Sequence, residues 1–182
     1  MVDLAAARVL VQSGLLTPAR PDRLLGMALA LARWGVTPAT GYAAGASRHP
    51  RRAAVVDDEG TLSWRDVDRR TDRIAGELRA RGVGEGDTVG LLARNGRGFV
   101  ETATALTKCG ADVLYLNTGS GGTQLDEVLR REGALAVVYD AEFGGLLSEA
   151  ARGRLALTTE PHGRLTTGPG PGVPRTPPVR SS

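Results

Sequence analysis

The stretch TVGLLARNGRGFVETATALTKCGADVLYLNTGSGGTQLDEVLRREGALAVVYD, Thr88–Asp140, decides the fold. It contains three short apolar runs, TVGLLA, DVLYLN and LAVVYD, separated by the segments GFVETATALTKCG and TQLDEVLRREG, whose apolar residues recur at helical spacing. Apolar strands that alternate with amphipathic helices are typical of a parallel sheet covered on both faces. A further helix is expected at EFGGLLSEA, residues 142–150. The sequence therefore predicts an α/β fold with a partial parallel sheet and flanking helices.

The segment YLNTGSGGTQLDEVL, Tyr115–Leu129, joins a strand to a helix through a burst of glycines. Gly119 and Gly121 fill the first two positions of the dinucleotide pattern G-x-G-x-x-G, and Asp140 follows at about the expected 20 residues. The third position holds Gln124, where close packing of the helix on the strand favours glycine. A Walker-type loop is excluded because Lys108, the only lysine, lies upstream. Two interpretations stay open, a phosphate contact and a plain glycine-rich turn, and the second is favoured.

Upstream, AAVVD (Ala53–Asp57) and TLS (Thr61–Ser63) flank the turn residues DEG and predict a small antiparallel hairpin. SWRD then gives a helix start in which the Ser63 hydroxyl caps the first turn and Asp66 reaches back to the cap. The helix ends at Gly82. Its predicted core residues are Val67, Ile74, Ala75 and Leu78.

Few residues are candidates for chemistry outside the glycine segment. Asp57, Asp58 and Glu59 cluster as a cation site would require, but at a hairpin tip such a cluster is typical of a solvated turn. His49 and His162 are the only histidines, and His162 lies in the segment expected to be disordered, so neither a histidine-based triad nor a two-histidine metal site is expected. Cys109 is the only cysteine and is expected to be a small buried residue on a helix.

Residues 22–34 have apolar side chains at helical spacing, with Pro21 before them and Gly35 after them. Arg20, Arg23 and Arg33 at the helix ends suit contact with a membrane surface, but the polar face is thin. Docking of the apolar face onto the protein itself is therefore the favoured interpretation. The helix belongs to an N-terminal helical segment, residues 1–42, which precedes the α/β region at residues 43–152.

The composition changes near residue 152. Six of the ten prolines fall in residues 161–182, PHGRLTTGPGPGVPRTPPVRSS, with few large apolar residues. Such a segment buries too little apolar surface to offset its ordering entropy. Residues 153–182 are therefore predicted to be a disordered tail, and a shifted reading frame is one hypothesis for its origin.

The overall composition excludes several classes of protein. The formal charge is +3, but the arginines are interleaved with acidic residues and aromatic residues are only 4% of the chain, so nucleic-acid binding is not expected. A single cysteine allows no internal disulfide and favours a reducing compartment. The longest apolar run, Leu24–Ala32, falls far short of the ~20 residues that span a bilayer. The segment MVDLAAARVL also lacks the features of a secretory signal, and we therefore predict a cytoplasmic location.

An ordered series of segments carries a family resemblance: GTLSWRDVD, RGVGEGD, ARNGRGFV and KCGADVLYLNTG. From about Ala43 to Phe143 the chain resembles the N-terminal part of AMP-forming acyl-CoA synthetases, in the adenylate-forming ligase superfamily, and it looks most like the bacterial fatty-acyl-CoA synthetase branch. Weaker similarity extends back to residues 20–35. The resemblance implies the start of the large N-terminal domain of such ligases.

The family converts a carboxylic acid and ATP to an acyl-adenylate and then to an acyl-CoA, with Mg²⁺ and coenzyme A. The resemblance implies a Ser/Thr/Gly-rich loop ending in Pro-Lys-Gly, a Tyr-Gly-x-Thr-Glu segment, a ribose-binding Asp and a catalytic lysine, and none of these motifs occurs in this sequence. LTTGPGPG, Leu165–Gly172, imitates the loop, but Gly170 and Pro171 stand where Pro and Lys are expected. No catalytic, cofactor-binding or metal-binding residue is therefore assigned, and Gly119–Gly122 are expected to form a turn.

Three hypotheses follow for the function. The chain is a truncated or fragmentary ligase without catalysis of its own, a free-standing nucleotide-binding module that uses Gly119, Gly121 and Asp140, or a non-catalytic partner of a separately encoded ligase remainder. The first is favoured.

Overall fold

The computed structural model describes residues 21–148, 151, 155–160 and 164–167. The α-helices are α1 (Pro21–Trp34), α2 (Pro38–Arg48), α3 (Trp64–Ala80), α4 (Arg97–Cys109) and α5 (Gly122–Arg131). The strands are β1 (Ala53–Asp57), β2 (Gly60–Ser63), β3 (Thr88–Leu92), β4 (Asp112–Tyr115), β5 (Ala136–Tyr139), β6 (Leu155–Glu160) and β7 (Arg164–Thr167). A 3₁₀ helix spans Ala141–Leu146.

The main sheet has five strands in the order β4-β3-β5-β6-β7, and only β7 runs antiparallel to its neighbour. Strand β3 pairs with β4 from Thr88 opposite Asp112 and with β5 from Val89 opposite Ala136. This arrangement confirms the predicted α/β class and the three predicted central strands.

Helices cover both faces of the sheet. Successive side chains of a strand point to opposite sides, so each strand contributes to both of the resulting apolar layers. On one face Val89, Leu91 and Val138 pack with α3 and α4. On the other face Leu92 and Val137 pack with α5 and the 3₁₀ helix. Gly90 lets α5 approach closely, since a Cβ there would lie 2.7 Å from the Leu129 Cδ2 atom. Two apolar layers therefore hold the strand ends in fixed positions.

The hairpin and the helix after it form as the sequence predicts. Strands β1 and β2 pair antiparallel around the turn, with Asp57 opposite Gly60. The Ser63 Oγ atom accepts a hydrogen bond from the Asp66 N–H at 3.2 Å, and the Asp66 Oδ2 atom accepts from the Ser63 N–H at 3.1 Å. Hydrogen bonds that the Asp66 carboxylate accepts, first from the Ser63 hydroxyl and then from the Ser63 backbone N–H, lower the pKa of Asp66. The capping box is thereby confirmed.

Helix α2 is absent from the sequence prediction and crosses the predicted boundary between residues 42 and 43. Its sequence, PATGYAAGASR, has two glycines and little apolar periodicity, which hides a helix from pattern analysis. The Tyr42 and Trp64 rings lie 5.3 Å apart, and Gly45 lies directly against the Trp64 ring. Packing on α3 thus stabilises a helix that its own residues favour weakly.

The chain after residue 152 also differs from the prediction of a disordered tail. Residues 155–160 and 164–167 form β6 and β7, which extend the sheet beyond β5. The open edge of β5 supplies hydrogen-bond partners that composition alone does not reveal. Within the helix predicted at 142–150, residues 142–146 belong to the 3₁₀ helix Ala141–Leu146, where Gly144 and Gly145 disfavour a regular α-helix, and residues 149–150 lie outside the described part of the chain. Residues 168–182 lie outside the described part of the chain.

Helix α1 forms where predicted, but the expected docking of its apolar face is wrong. Ala30 is buried against α2, whereas Leu24, Leu25, Leu29 and Leu31 are 50–62% exposed. The small residues Gly26 and Ala30 permit a close approach to α2, so the leucines face outward. Throughout the described ranges, each helix is too short or too polar to cross a lipid bilayer.

Candidate functional site

A cleft of about 390 Å³ opens at the carboxyl ends of β3 and β5. The chain leaves β3 toward β4 on one side and leaves β5 toward β6 on the other. Such a divergence is where open α/β sheets usually bind ligands. The cleft lies between the hairpin turn, the start of α4 and the loop after β5, and is lined by Asp57, Asp58, Glu59, Arg94, Asn95, Gly96, Arg97, Gly98, Glu101, Asp140, Ala141 and Glu142.

The Asp57–Arg97 pair forms one wall of the cleft. The Asp57 Oδ2 atom accepts from the Arg97 backbone N–H at 3.0 Å and from its Nε atom at 2.9 Å, and Oδ1 contacts Nη2. Asp57 thereby caps α4 from a distant segment. Hydrogen bonds from the Arg97 side chain lower the pKa of Asp57 from 3.8 to about 2. The predicted solvated turn is thus wrong for Asp57, which fixes the hairpin to α4.

Glu101 lies deeper, one turn along α4. Its carboxylate is buried, and its Oε1 atom lies 2.6 Å from the Arg70 Nε atom of α3. That contact is an ion pair without good hydrogen-bond alignment. Burial raises the pKa of Glu101, while the charge of Arg70 opposes the rise. Glu101 therefore joins α3 to α4 beneath the cleft floor.

Arg94 and Glu142 close the opposite wall. The Arg94 Nε and Nη2 atoms donate to the two Glu142 oxygens at 2.5 and 2.8 Å, a bidentate pair. This bonding lowers the pKa of Glu142. The Asp140 Oδ2 atom accepts from the Arg94 backbone N–H at 2.8 Å. These contacts join the loop after β3 to the loop after β5.

The charge of the cleft does not fit a nucleotide triphosphate. Six carboxylate side chains line it against two guanidinium groups, and both Arg94 and Arg97 are already paired with carboxylates. A triphosphate needs unpaired cations or a metal ion to offset its charge. Within the described ranges, no three His, Cys, Asp or Glu side chains are grouped so that they could hold a metal ion. We therefore derive no step through ATP or Mg²⁺ in this cleft.

The glycine segment and Asp140 are not brought together. Gly119 and Gly121 follow β4, whereas Asp140 follows β5, and β3 lies between these strands. The Gly119 N–H donates to Asn117 Oδ1 at 2.9 Å, and a Cβ at Gly122 would lie 2.5 Å from the Leu146 carbonyl oxygen. The segment is a turn, as expected, and glycine is required at position 122 because a side chain there would collide with the Leu146 carbonyl. This geometry disfavours the dinucleotide-binding hypothesis.

The remaining candidates have structural roles where they are described. Cys109 is buried at the end of α4, and burial raises the pKa of its thiol, which disfavours the reactive thiolate. The His49 N–H donates to the Gly45 carbonyl at the end of α2. His162 and most of the LTTGPGPG stretch lie outside the described residues, although Leu165, Thr166 and Thr167 belong to β7.

Sequence reasoning missed the cleft residues Arg94, Arg97, Glu101 and Glu142. Each arginine pairs with an acidic residue at least 40 positions away in the sequence, which no local pattern reveals. The available signal was ARNGRGFVE itself, where two arginines and a glutamate surround the start of a helix that follows an apolar strand.

Comparison with known proteins assigns this arrangement to a family. The family model described as "AMP-binding enzyme" matches residues 42–167, more than half of the chain. The chain belongs to the AMP-binding enzyme family. The match includes β6 and β7, which agrees with their place in the main sheet.

Relatives of this AMP-binding domain include acid–CoA ligases. Medium/long-chain-fatty-acid--CoA ligase FadD6 of Mycobacterium tuberculosis is 34% identical over 127 residues, which are 67% of this chain and 21% of that protein. Pyochelin synthase PchD of Pseudomonas aeruginosa is 49% identical over 72 residues, 40% of this chain and 13% of the relative. The chain thus spans about an eighth to a fifth of the length of these relatives.

Solved structures carry the same fold. A Rhodopseudomonas palustris protein described as a long-chain-fatty-acid CoA ligase superposes with a TM-score of 0.64 at 25% identity, covering 74% of this chain and 34% of that one. The N-terminal subdomain of Klebsiella oxytoca NpsA superposes with a TM-score of 0.60 at 19% identity, covering 75% and 35%. This member of the AMP-binding enzyme family has the fold of the N-terminal domain of adenylate-forming ligases.

Proposed function

We propose that this chain is the amino-terminal scaffold of an AMP-forming acid–thiol ligase, and that it does not activate acids by itself. The observation that carries the proposal is that both arginines of the cleft are already paired with carboxylates. Six carboxylate side chains line the cleft, and its two guanidinium groups, Arg94 and Arg97, are already paired with Glu142 and Asp57, so the cleft has no excess positive charge to offset a triphosphate. The ATP-binding and catalytic motifs of the family are also missing from the sequence.

The substrate class proposed for the complete ligase is a fatty acid. The support comes from the fatty-acid ligase of M. tuberculosis and from the R. palustris structure, both of which share sequence with this chain. The partner proposed is polypeptide that carries the remaining ligase motifs, and the location proposed is the cytoplasm. Under this proposal the described residues supply a rigid sheet and helix surface rather than reacting groups.

The test is acid-dependent exchange of pyrophosphate into ATP, measured with fatty acids of graded length. Two samples are compared: the purified recombinant chain, and the tagged chain recovered under native conditions from its own cells together with bound proteins. We expect no exchange by the recombinant chain and measurable exchange in the native preparation. Exchange by the recombinant chain alone would overturn the scaffold assignment, and its absence from both samples would overturn the ligase assignment.

A further inference from the structure

Four arginines meet in one concavity at the base of the hairpin, where α2 ends and α3 begins. The concavity has a volume of about 440 Å³ and is open to solvent, and its described lining is Arg48, His49, Pro50, Arg51, Arg52 and Arg65. The sequence has no acidic residue between Asp22 and Asp57, so this stretch of chain brings no counter-charge of its own. Like charges gathered in one concavity repel each other and attract anions.

Backbone hydrogen bonds hold the arginines side by side. The Arg52 N–H donates to the His49 carbonyl at 3.0 Å, which closes a tight turn between α2 and β1. The Arg65 N–H donates to the Pro50 carbonyl at 3.1 Å. The Trp64 N–H donates to the Arg52 carbonyl, also at 3.1 Å. The fold therefore fixes the Cα atoms from which the arginine side chains extend.

Described carboxylates leave much of this positive charge without a partner. Across the described ranges, no carboxylate forms an ion pair with Arg51 or Arg52, and both side chains are exposed. Arg65 is exposed next to Asp66, whose carboxylate is already hydrogen-bonded within the capping box. The acidic turn of the hairpin lies at the far end of β1. This site thus differs from the acidic cleft, where both arginines are paired.

The lining fits a small, highly charged anion better than a macromolecule. The centre of a protein interface is depleted of charged residues, whereas Pro50 is the one apolar residue in the described lining. The polypeptide that carries the remaining ligase motifs therefore fits this concavity less well. Sites for single-stranded nucleic acid stack bases on aromatic rings, and the described lining includes no Trp, Tyr or Phe.

We propose that this concavity binds a small ligand that carries a diphosphate group. An arginine fork donates two N–H groups to neighbouring phosphate oxygens. A diphosphate concentrates several negative charges and outer oxygens in two adjoining tetrahedra, so several guanidinium groups can converge on it. The site and the acidic cleft lie at opposite ends of β1, since Arg52 precedes this strand and Asp57 ends it. The proposal therefore does not depend on the proposed ligase function.

The experiment is isothermal titration calorimetry of the full 182-residue chain with inorganic diphosphate and, separately, with ADP, both without metal. We expect one saturable site for diphosphate, with a dissociation constant below about 1 mM at moderate salt and weaker binding as salt is added. ADP should bind about as tightly, because the described lining offers no Trp, Tyr or Phe ring to a base. Much tighter binding of ADP would identify a nucleotide as the source of the diphosphate.

Two double variants that lose the same charge locate the site. Arg51→Gln/Arg52→Gln should weaken diphosphate binding at least about tenfold, since two charge-assisted contacts are removed. The matched control is Arg130→Gln/Arg131→Gln, at the exposed end of α5 on the other face of the sheet, and it should bind like the parent. Circular dichroism checks folding, and Arg51→Gln/Arg65→Gln replaces the first pair if that pair fails to fold.

Several outcomes would overturn the proposal. These are the absence of saturable binding, equal weakening in the two double variants, and binding of citrate, a carboxylate anion of similar charge, as tight as that of diphosphate. Polyglutamate that binds more tightly than diphosphate would instead assign the arginines to an acidic polypeptide, such as a segment of the ligase remainder. Tighter binding of a single-stranded oligonucleotide would assign them to nucleic acid. None of these measurements depends on acid activation.

Discussion

Asp57 and Arg97 are 40 residues apart, and their pairing joins the hairpin to the sheet domain. The carboxylate accepts from both the guanidinium and the first backbone N–H of α4, so it acts as an ion-pair partner and a helix cap at once. Arg97 is largely buried, which leaves its charge dependent on Asp57. Removing one member of such a pair costs more than the pair itself contributes.

We expect Asp57→Asn to lower the free energy of unfolding by about 2–3 kcal/mol at pH 7. The pKa of Asp57 is lowered from 3.8 to about 2, so its stabilisation is complete above about pH 4 and is lost as the pH falls through 2. The gap between parent and variant in urea unfolding should therefore shrink between pH 4 and pH 2. Taking the difference removes the opposite contribution of Glu101, which both proteins carry. A gap that is constant over this range would refute the assignment.

Lys108 provides a second prediction at the residue scale. Its side chain is 2% exposed, and its Nζ atom lies 2.7 Å from Asp68 Oδ1 and 2.6 Å from Asp72 Oδ1. We expect Lys108→Met to cost about 2–3 kcal/mol, because two carboxylates of α3 lose their cation. Asp72→Asn is the matched control and should cost less than about 1 kcal/mol, since Asp72 is 62% exposed and Asp68 remains. Equal losses of unfolding free energy for Lys108→Met and Asp72→Asn in chemical denaturation would contradict this prediction.

At the element scale, α2 packs on α3 through a close approach of Gly45 to the Trp64 ring. A Cβ at Gly45 would collide with the Trp64 ring, whereas a Cβ at Gly41 on the same helix has open space around it. Both glycines lie inside α2 and weaken it relative to alanine. The packing of Trp64 therefore explains the glycine at position 45, and nothing in the described contacts requires glycine at position 41.

We expect opposite effects from the same substitution at these two positions. Gly45→Ala should destabilise by about 1–2 kcal/mol, because overpacking against Trp64 outweighs the gain in helix propensity. Gly41→Ala should stabilise by up to about 1 kcal/mol. Thermal unfolding of both variants checks the pair, and Trp64 fluorescence should change only in Gly45→Ala. A stabilised Gly45→Ala would show that the Trp64 ring moves away at little cost.

The elements differ in how far sequence could predict them. Strands β3 and β5 are continuous apolar runs, and α3 has a capping signal and apolar periodicity, so local patterns suffice for these elements. Helix α2 packs on Trp64, strand β6 pairs with β5, and strand β7 pairs with β6, and glycine or proline nearby obscures all three in the sequence. The cleft was missed for the same reason, since its ion pairs join separate segments and no neighbouring residues encode them.

At the scale of the whole molecule, stability should fall from the sheet outward. Strands β3 and β5 are paired on both sides and packed on both faces, so their amides open only when the domain unfolds. Helix α1 packs on α2, touches α4 through Trp34 and leaves its leucines exposed. A helix of 14 residues is marginal without tertiary packing. The described part of the chain therefore combines a rigid sheet with a weakly anchored helix α1.

Hydrogen exchange followed by mass spectrometry should resolve this gradient. We expect peptides from α1 to exchange at least about 100-fold faster than peptides from β3 and β5. Protection of α1 equal to that of β3 would mean that the helix opens only with the whole domain, and the proposed gradient of stability would then be wrong.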